Sequence, residues 1–119
     1  MKKIILDTNF CIIPFQFGID IYSELQNTMQ QQYEIVFPKI ALKELEKLKF
    51  GGAALELLKK KSVKLVDVPV MKDVDSSILE YAKKENAILA TQDLGLKKKA
   101  KENKVEILVL RQKKYIVLM

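Results

Sequence analysis

Two carboxylates stand just past the ends of apolar runs. Asp7 closes Ile4-Ile5-Leu6 and is followed at once by Thr8 and Asn9; Asp93 follows the 87–90 run, behind Thr91 and Gln92. Short, wholly apolar runs mark strands buried on both faces. In open α/β sheets, ligands gather just beyond the carboxyl ends of the strands. An Asp placed there is a reagent or a metal ligand; the competing reading is a helix N-cap, which Asp also favours. Two further carboxylates come from helical patterns. Over 39–49, Ile40, Ala41, Leu45 and Leu48 form an apolar stripe. At about 100° per residue Glu44 falls inside that stripe and Glu46 opposite it. Over 73–85 the stripe is Val74, Ile78, Tyr81 and Ala82, with Asp75 inside it and Asp73 placed as the N-cap. A charge on a buried face is costly unless it is paired or binds a cation.

The rest of the composition narrows the chemistry. The chain has no His and one Cys, which excludes His-based triads and His- or Cys-built zinc sites. Carboxylates, Lys, hydroxyls and oxygen-bound metals remain. Asp7, Glu44, Asp75 and Asp93 at one edge would repel and raise one another's pKa. One or two Mg²⁺ or Mn²⁺ ions would relieve that repulsion, activate a water and stabilise charge on a phosphodiester. Thr8, Asn9 and Thr91 are too weakly basic to be main ligands and are expected to orient the carboxylates or a metal-bound water. Cys11 lies among apolar residues and cannot form an internal disulfide, which fits a reducing cytoplasm.

Charge is unevenly placed. The net charge is +6, residues 1–93 sum to zero, and 94–119 hold 8 Lys/Arg against Glu102 and Glu106. An acid-lined edge beside a basic stretch suits a polyanion, although a solvated Lys-rich helix has the same composition. Lys97 and Lys98 lie on the helix after Asp93, and Arg111, Lys113 and Lys114 follow the last full strand. These five are the candidates for contacting the phosphates of a nucleic-acid backbone. Tyr115 could stack on a base, but packing at a sheet edge is its commoner role.

The elements that must position these groups alternate. Strands are expected at 2–9 (apolar over Ile4–Leu6), 33–37, 63–68, 87–90 and 105–110, with helices at 20–32, 39–49, 53–61, 73–85 and after Asp93. The 10–17 stretch, broken by Pro14, reads as a short helical turn, Gly51-Gly52 as a turn, and 115–119 as a short extra edge strand. Asp67 could reach the sheet edge or face solvent. At 119 residues and 49% hydrophobic, the chain is expected to be one α/β domain, with no segment long enough to span a membrane. Alternation implies a five-stranded parallel sheet between helical layers, α/β/α. In the order 3-2-1-4-5, Asp7 and Asp93 would lie side by side, with Asp75 and Glu44 above them.

On these residues the chain resembles a PIN-domain ribonuclease. Ile-Leu-Asp7-Thr8-Asn9 matches the opening motif of that family, Glu44 in Ala-Leu-Lys-Glu-Leu its second acid, Asp75 in Asp-Ser-Ser-Ile its third, and Asp93 in Ala-Thr91-Gln92-Asp93 its fourth. Thr91 stands at the family's frequent Thr/Ser. The resemblance implies a PIN-like sheet of order 3-2-1-4-5 and Mg²⁺- or Mn²⁺-dependent endonucleolytic cleavage of single-stranded RNA. Ala-Thr-Gln-Asp-Leu-Gly-Leu-Lys-Lys-Lys and Leu-Arg-Gln-Lys-Lys-Tyr look most like the branch that cuts precursor ribosomal RNA. This chain departs from that branch in lacking terminal extensions and in having Ser76 where a second Asp is frequent. A toxin ribonuclease paired with an antitoxin would carry the same site, and a homodimer is compatible with either setting. A non-catalytic RNA-binding PIN module is the rival of another class, but all four acids are kept. A receiver domain would want paired acids after strand 1, and a haloacid-dehalogenase-like phosphatase an Asp where Asn9 stands.

Overall fold

The computed structural model describes all 119 residues, Met1–Met119. Five parallel strands form the body of one sheet: β1 (Lys2–Leu6), β2 (Tyr33–Pro38), β3 (Lys64–Val66), β4 (Ile88–Ala90) and β5 (Ile107–Arg111). A sixth, β6 (Tyr115–Leu118), pairs antiparallel with β5, and the order is β3-β2-β1-β4-β5-β6. The expected order 3-2-1-4-5 is therefore present, and the sheet has six strands rather than five. Strands β1 and β4 are neighbours in register, with Leu6 opposite Ala90.

Alternation along β1 sends Ile4 and Leu6 into one core and Ile5 into the other. The first core is covered by α1 (Thr8–Cys11), α2 (Ile13–Phe17), α3 (Ile21–Thr28), α4 (Leu42–Lys47) and α5 (Gly51–Lys60). The second lies under α6 (Val74–Glu85) and α7 (Leu94–Glu102). Cys11 is buried in the first core, and burial pushes its thiol pKa up, so it is a packing residue. No helix is long and apolar enough to cross a membrane.

Several elements differ locally from the pattern reading. The 10–17 stretch is two short helices, with Pro14 accommodated in the first turn of α2. Helix α3 ends at Thr28, short of the polar glutamines. Lys39–Ala41 is a 3₁₀ turn ahead of α4, so a single 100° count over 39–49 fails, and Ile40 is 47% exposed. Gly51 and Gly52 are not a turn but the first residues of α5. A Cβ on Gly51 would lie 1.8 Å from the Leu45 carbonyl oxygen, so only glycine lets α5 start so close to α4. Asp67 is exposed, 3.6 Å from the Lys39 ammonium, and takes no part in the acid edge.

Candidate active site

The end of β1 builds the centre. Asp7 directly follows Leu6, its backbone N–H donates to the Ala90 carbonyl at 2.9 Å, and its residue is only 3% exposed. It caps α1 while remaining in the site: Oδ1 accepts from the Thr8 backbone N–H at 2.8 Å. Oδ2 accepts from the Thr91 hydroxyl, also at 2.8 Å. The cap reading of this Asp therefore holds, and capping leaves its second oxygen at the strand end against Thr91. Burial raises the Asp7 pKa to about 6. The Thr91 and Thr8 hydrogen bonds oppose the rise, while the like charges of Asp75 and Glu44 add to it.

The other three acids reach this centre by different routes. Because Leu6 pairs with Ala90, the residue beside Asp7 is Thr91, and Asp93 stands two further on, not side by side with Asp7 as the strand order alone suggested. Thr91 bridges that gap: its Oγ1 donates to Asp7 and accepts from the Asp93 backbone N–H at 3.1 Å. Asp93 caps α7, with Oδ1 accepting from the N–H groups of Gly95 (2.8 Å) and Leu96 (3.4 Å). Glu44 is exposed, contrary to the stripe argument, because the 3₁₀ turn re-phases the helix. What ties it to the site is Thr8, whose hydroxyl donates to Glu44 Oε1 at 2.6 Å. Asp75 is partly buried in the first turn of α6. Burial raises its pKa, with Asp93, Asp73 and Glu44 adding to the rise. Asp73 is the N-cap of α6, accepting from the Ser76 N–H at 2.7 Å, and its pKa is lowered by those bonds.

Thr8 and Thr91 therefore join acids supplied by separate elements, whereas Asn9 is exposed on α1. The four acids come from separate parts of the chain, and no three His, Cys, Asp or Glu side chains converge into a ready ligand cage. All donors are oxygen, and the two most perturbed acids are raised partly by like charge, a donor set that suits a hard cation.

Two residues escaped the sequence reading. Gln92 Oε1 accepts from the Leu110 backbone N–H at 2.7 Å, holding the Thr91–Asp93 segment against β5. Lys99 is the lysine whose charge reaches both Asp73 and Asp75. Its signal was that α6 and α7 must share one face of the sheet. Of the basic residues singled out, Lys97, Lys98 and Arg111 line a common open groove with Lys101, floored by Ile107 and Val109. Lys113 lies elsewhere, with its ammonium 5.4 Å from the centroid of the Phe17 ring, and Lys114 is exposed on the β5–β6 turn.

The family model for a PIN like domain matches residues 4–113. The chain belongs to the PIN-like domain family. Among the relatives of this PIN-like domain is Ribonuclease VapC4 of Methanocaldococcus jannaschii, 39% identical over 125 residues, covering 97% of this chain and 95% of that protein. Its fold is similar to that of the PIN domain endonuclease Utp24, with a TM-score of 0.84 at 22% identity, over 98% of this chain and 90% of that one. It is also similar to a chain of Rickettsia felis VapBC2, solved bound to a DNA fragment from their promoter, with a TM-score of 0.66 at 18% identity, over 92% and 99%.

Proposed function

We propose that this protein is an endoribonuclease that cleaves single-stranded RNA and works as the toxin of a toxin–antitoxin pair. The observation that carries the reading is the acid edge around buried Asp7, in a chain that shares its whole length with Ribonuclease VapC4. The VapBC2 assembly supports a second protein component as partner, the antitoxin. The likeness of Ala90–Lys99 and Leu110–Tyr115 to the ribosomal-RNA-processing branch favours cleavage of precursor ribosomal RNA as a second reading.

Each acid has a distinct part. Asp7, Glu44, Asp75 and Asp93 would hold one or two Mg²⁺ or Mn²⁺ ions, which when bound would supply an activated water and stabilise charge at the phosphorus. The protein's own contribution is placement. Thr91 fixes Oδ2 of Asp7, the Thr8 N–H fixes Oδ1, and the Thr8 hydroxyl holds one oxygen of Glu44. The α7 amides hold Oδ1 of Asp93. For Glu44 and Asp93 the second carboxylate oxygen remains for a ligand. The Lys97, Lys98 and Arg111 groove would take phosphates flanking the cut, with Lys113 and Lys114 further along the strand.

The test is cleavage of end-labelled single-stranded RNA by the purified chain with Mg²⁺, with Mn²⁺ and with chelator. Internal cuts that need metal and vanish in Asp7→Asn are expected. Growth arrest on expression, relieved by the product of an adjacent short reading frame, is expected for the toxin setting. Site-specific cutting of precursor ribosomal RNA without growth arrest would favour the second reading. Metal-independent cutting, or cutting by Asp7→Asn, would overturn the assignment.

A further inference from the structure

We propose that the rim around α2 is a base-stacking subsite for the RNA strand, with Phe15, Phe17 and Phe50 as platforms and Lys49 and Lys113 as their phosphate partners. This rests on the single-strand ribonuclease reading above and extends it to residues outside the acid edge. Of five Phe residues, Phe10 and Phe37 are fully buried, but Phe15, Phe17 and Phe50 are 36%, 39% and 41% exposed. Phe15 and Phe50 stack on each other, with centroids 6.2 Å apart and planes 25° from parallel. Lys49 Nζ lies 5.3 Å from the Phe50 centroid; Phe17, two residues on from Phe15 in α2, has Lys113 Nζ 5.4 Å from its own centroid.

A lysine stem shading a ring is the ordinary explanation of one such pair. It does not account for Phe50. That residue adopts φ +68° just ahead of α5, a left-handed conformation that is costly for a bulky side chain and cheap for Gly or Asn. A strained, exposed aromatic gains the fold little. It gives a ligand a rigid flat face.

The segments that carry these rings adjoin the ones that position the acids. Helix α2 continues from α1, whose first residue is Thr8; Phe50 follows α4, which bears Glu44; Lys113 lies two residues past Arg111. Exposed aromatic faces with ammonium groups beside them match single-stranded nucleic acid, in which every base has an apolar face and every linkage a negative charge. On binding, each ammonium would move from the ring to a phosphate and leave the ring face to a base.

The experiment is a fluorescence-anisotropy titration of the full chain in chelator, using single-stranded 2′-O-methyl RNA and the same backbone made abasic. The wild type should prefer the base-bearing strand. Phe15→Ala/Phe17→Ala/Phe50→Ala should weaken that strand about tenfold or more and leave the abasic strand unchanged. Lys49→Ala/Lys113→Ala should weaken both and flatten the salt slope by about 1.4. Phe50→Asn should melt no lower than the wild type, since it relieves the left-handed strain, and still lose affinity for the base-bearing strand. Base-bearing affinity unchanged in Phe50→Asn and in a folded triple variant would overturn the subsite. Equal losses on both strands would also overturn it, since the rings would then act through structure. Unchanged RNA affinity with lost binding to an acidic, apolar partner peptide would make this rim a protein-docking face instead. Wild-type binding to neither strand would overturn the RNA reading itself, a result distinct from the others.

Discussion

Replacing Asp7 by Asn separates a strained site residue from a structural one. The Asp7 pKa lies at about 6 in the fold against an ordinary 3.8. A raised carboxyl pKa means the native state binds the proton more tightly than the unfolded chain. The contribution of Asp7 to stability should therefore be most favourable below about pH 4, fall as pH rises through 4 to 6, and stay flat above. A rise of about two units corresponds to about 3 kcal/mol lost at neutral pH. Asn carries no charge, so it escapes that loss. It keeps an acceptor for the Thr8 N–H but disturbs the Thr91 hydrogen bond, worth about 1 kcal/mol. In chelator at pH 7, Asp7→Asn should then be about 1–3 kcal/mol more stable than the wild type, a rise in Tm of about 4–12 °C for a chain of this size. The gap should close below pH 4. Urea and thermal melts from pH 4 to pH 8 measure both features. A less stable Asp7→Asn at pH 7, or a gap that does not change with pH, would refute the like-charge and burial account of this residue. Added Mn²⁺ should stabilise the wild type by mass action and leave Asp7→Asn where it was.

Other expectations follow from single contacts. Mn²⁺ affinity, measured calorimetrically, should weaken as pH falls through about 6, because proton and cation compete for Asp7. Thr91→Val removes the donor to Asp7 and the acceptor for the Asp93 N–H; it should lower cleavage rate without abolishing it, at about 1–3 kcal/mol of stability in a melt. Gly51→Ala should destabilise by about 1–3 kcal/mol or more through the clash with the Leu45 carbonyl, with RNA affinity retained where the protein is folded. Replacing Lys97, Lys98 and Arg111 together by Ala should reduce the salt slope of RNA binding by about 2, while metal-induced stabilisation persists.

The sheet was legible because its signals are local and redundant. Each central strand is an apolar run too short for a helix, and helices between successive strands leave a parallel arrangement as the only short connection. That is enough to bring β1 beside β4 and Asp7 near the β4 end. The sixth strand was read only as an extra edge segment, because its turn lacks the expected chemistry: Gln112 and Lys113 are both left-handed, at φ 54° and 53°, where Gly or Asn would announce a hairpin. The role of Gly51 was hidden for another reason. A close approach between two helices is a tertiary fact, and in sequence a Gly-Gly pair looks the same as a loop.

Glu44 was singled out by an argument that the fold removes. Its supposed place on a buried face assumed an unbroken helix from Lys39, and the 3₁₀ turn removes that premise. An exposed glutamate would ordinarily be free to point anywhere. Here the Thr8 hydroxyl, held at the start of α1 by the hydrogen bond from the Thr8 N–H to Asp7, fixes one of its oxygens. Thr91 does the same work on the other side, linking Asp7 to the Asp93 backbone. The order runs from the strand ends outward: two buried hydroxyls, one next to Asp7 and one bonded to it, hold Glu44 and the Asp93 backbone. Because the acids repel, such neutral connectors are what can draw them together before any cation arrives. Thr8 and Thr91, both almost fully buried, are accordingly the residues whose loss should free Glu44 and the Asp93 segment from Asp7 while leaving each acid in the chain.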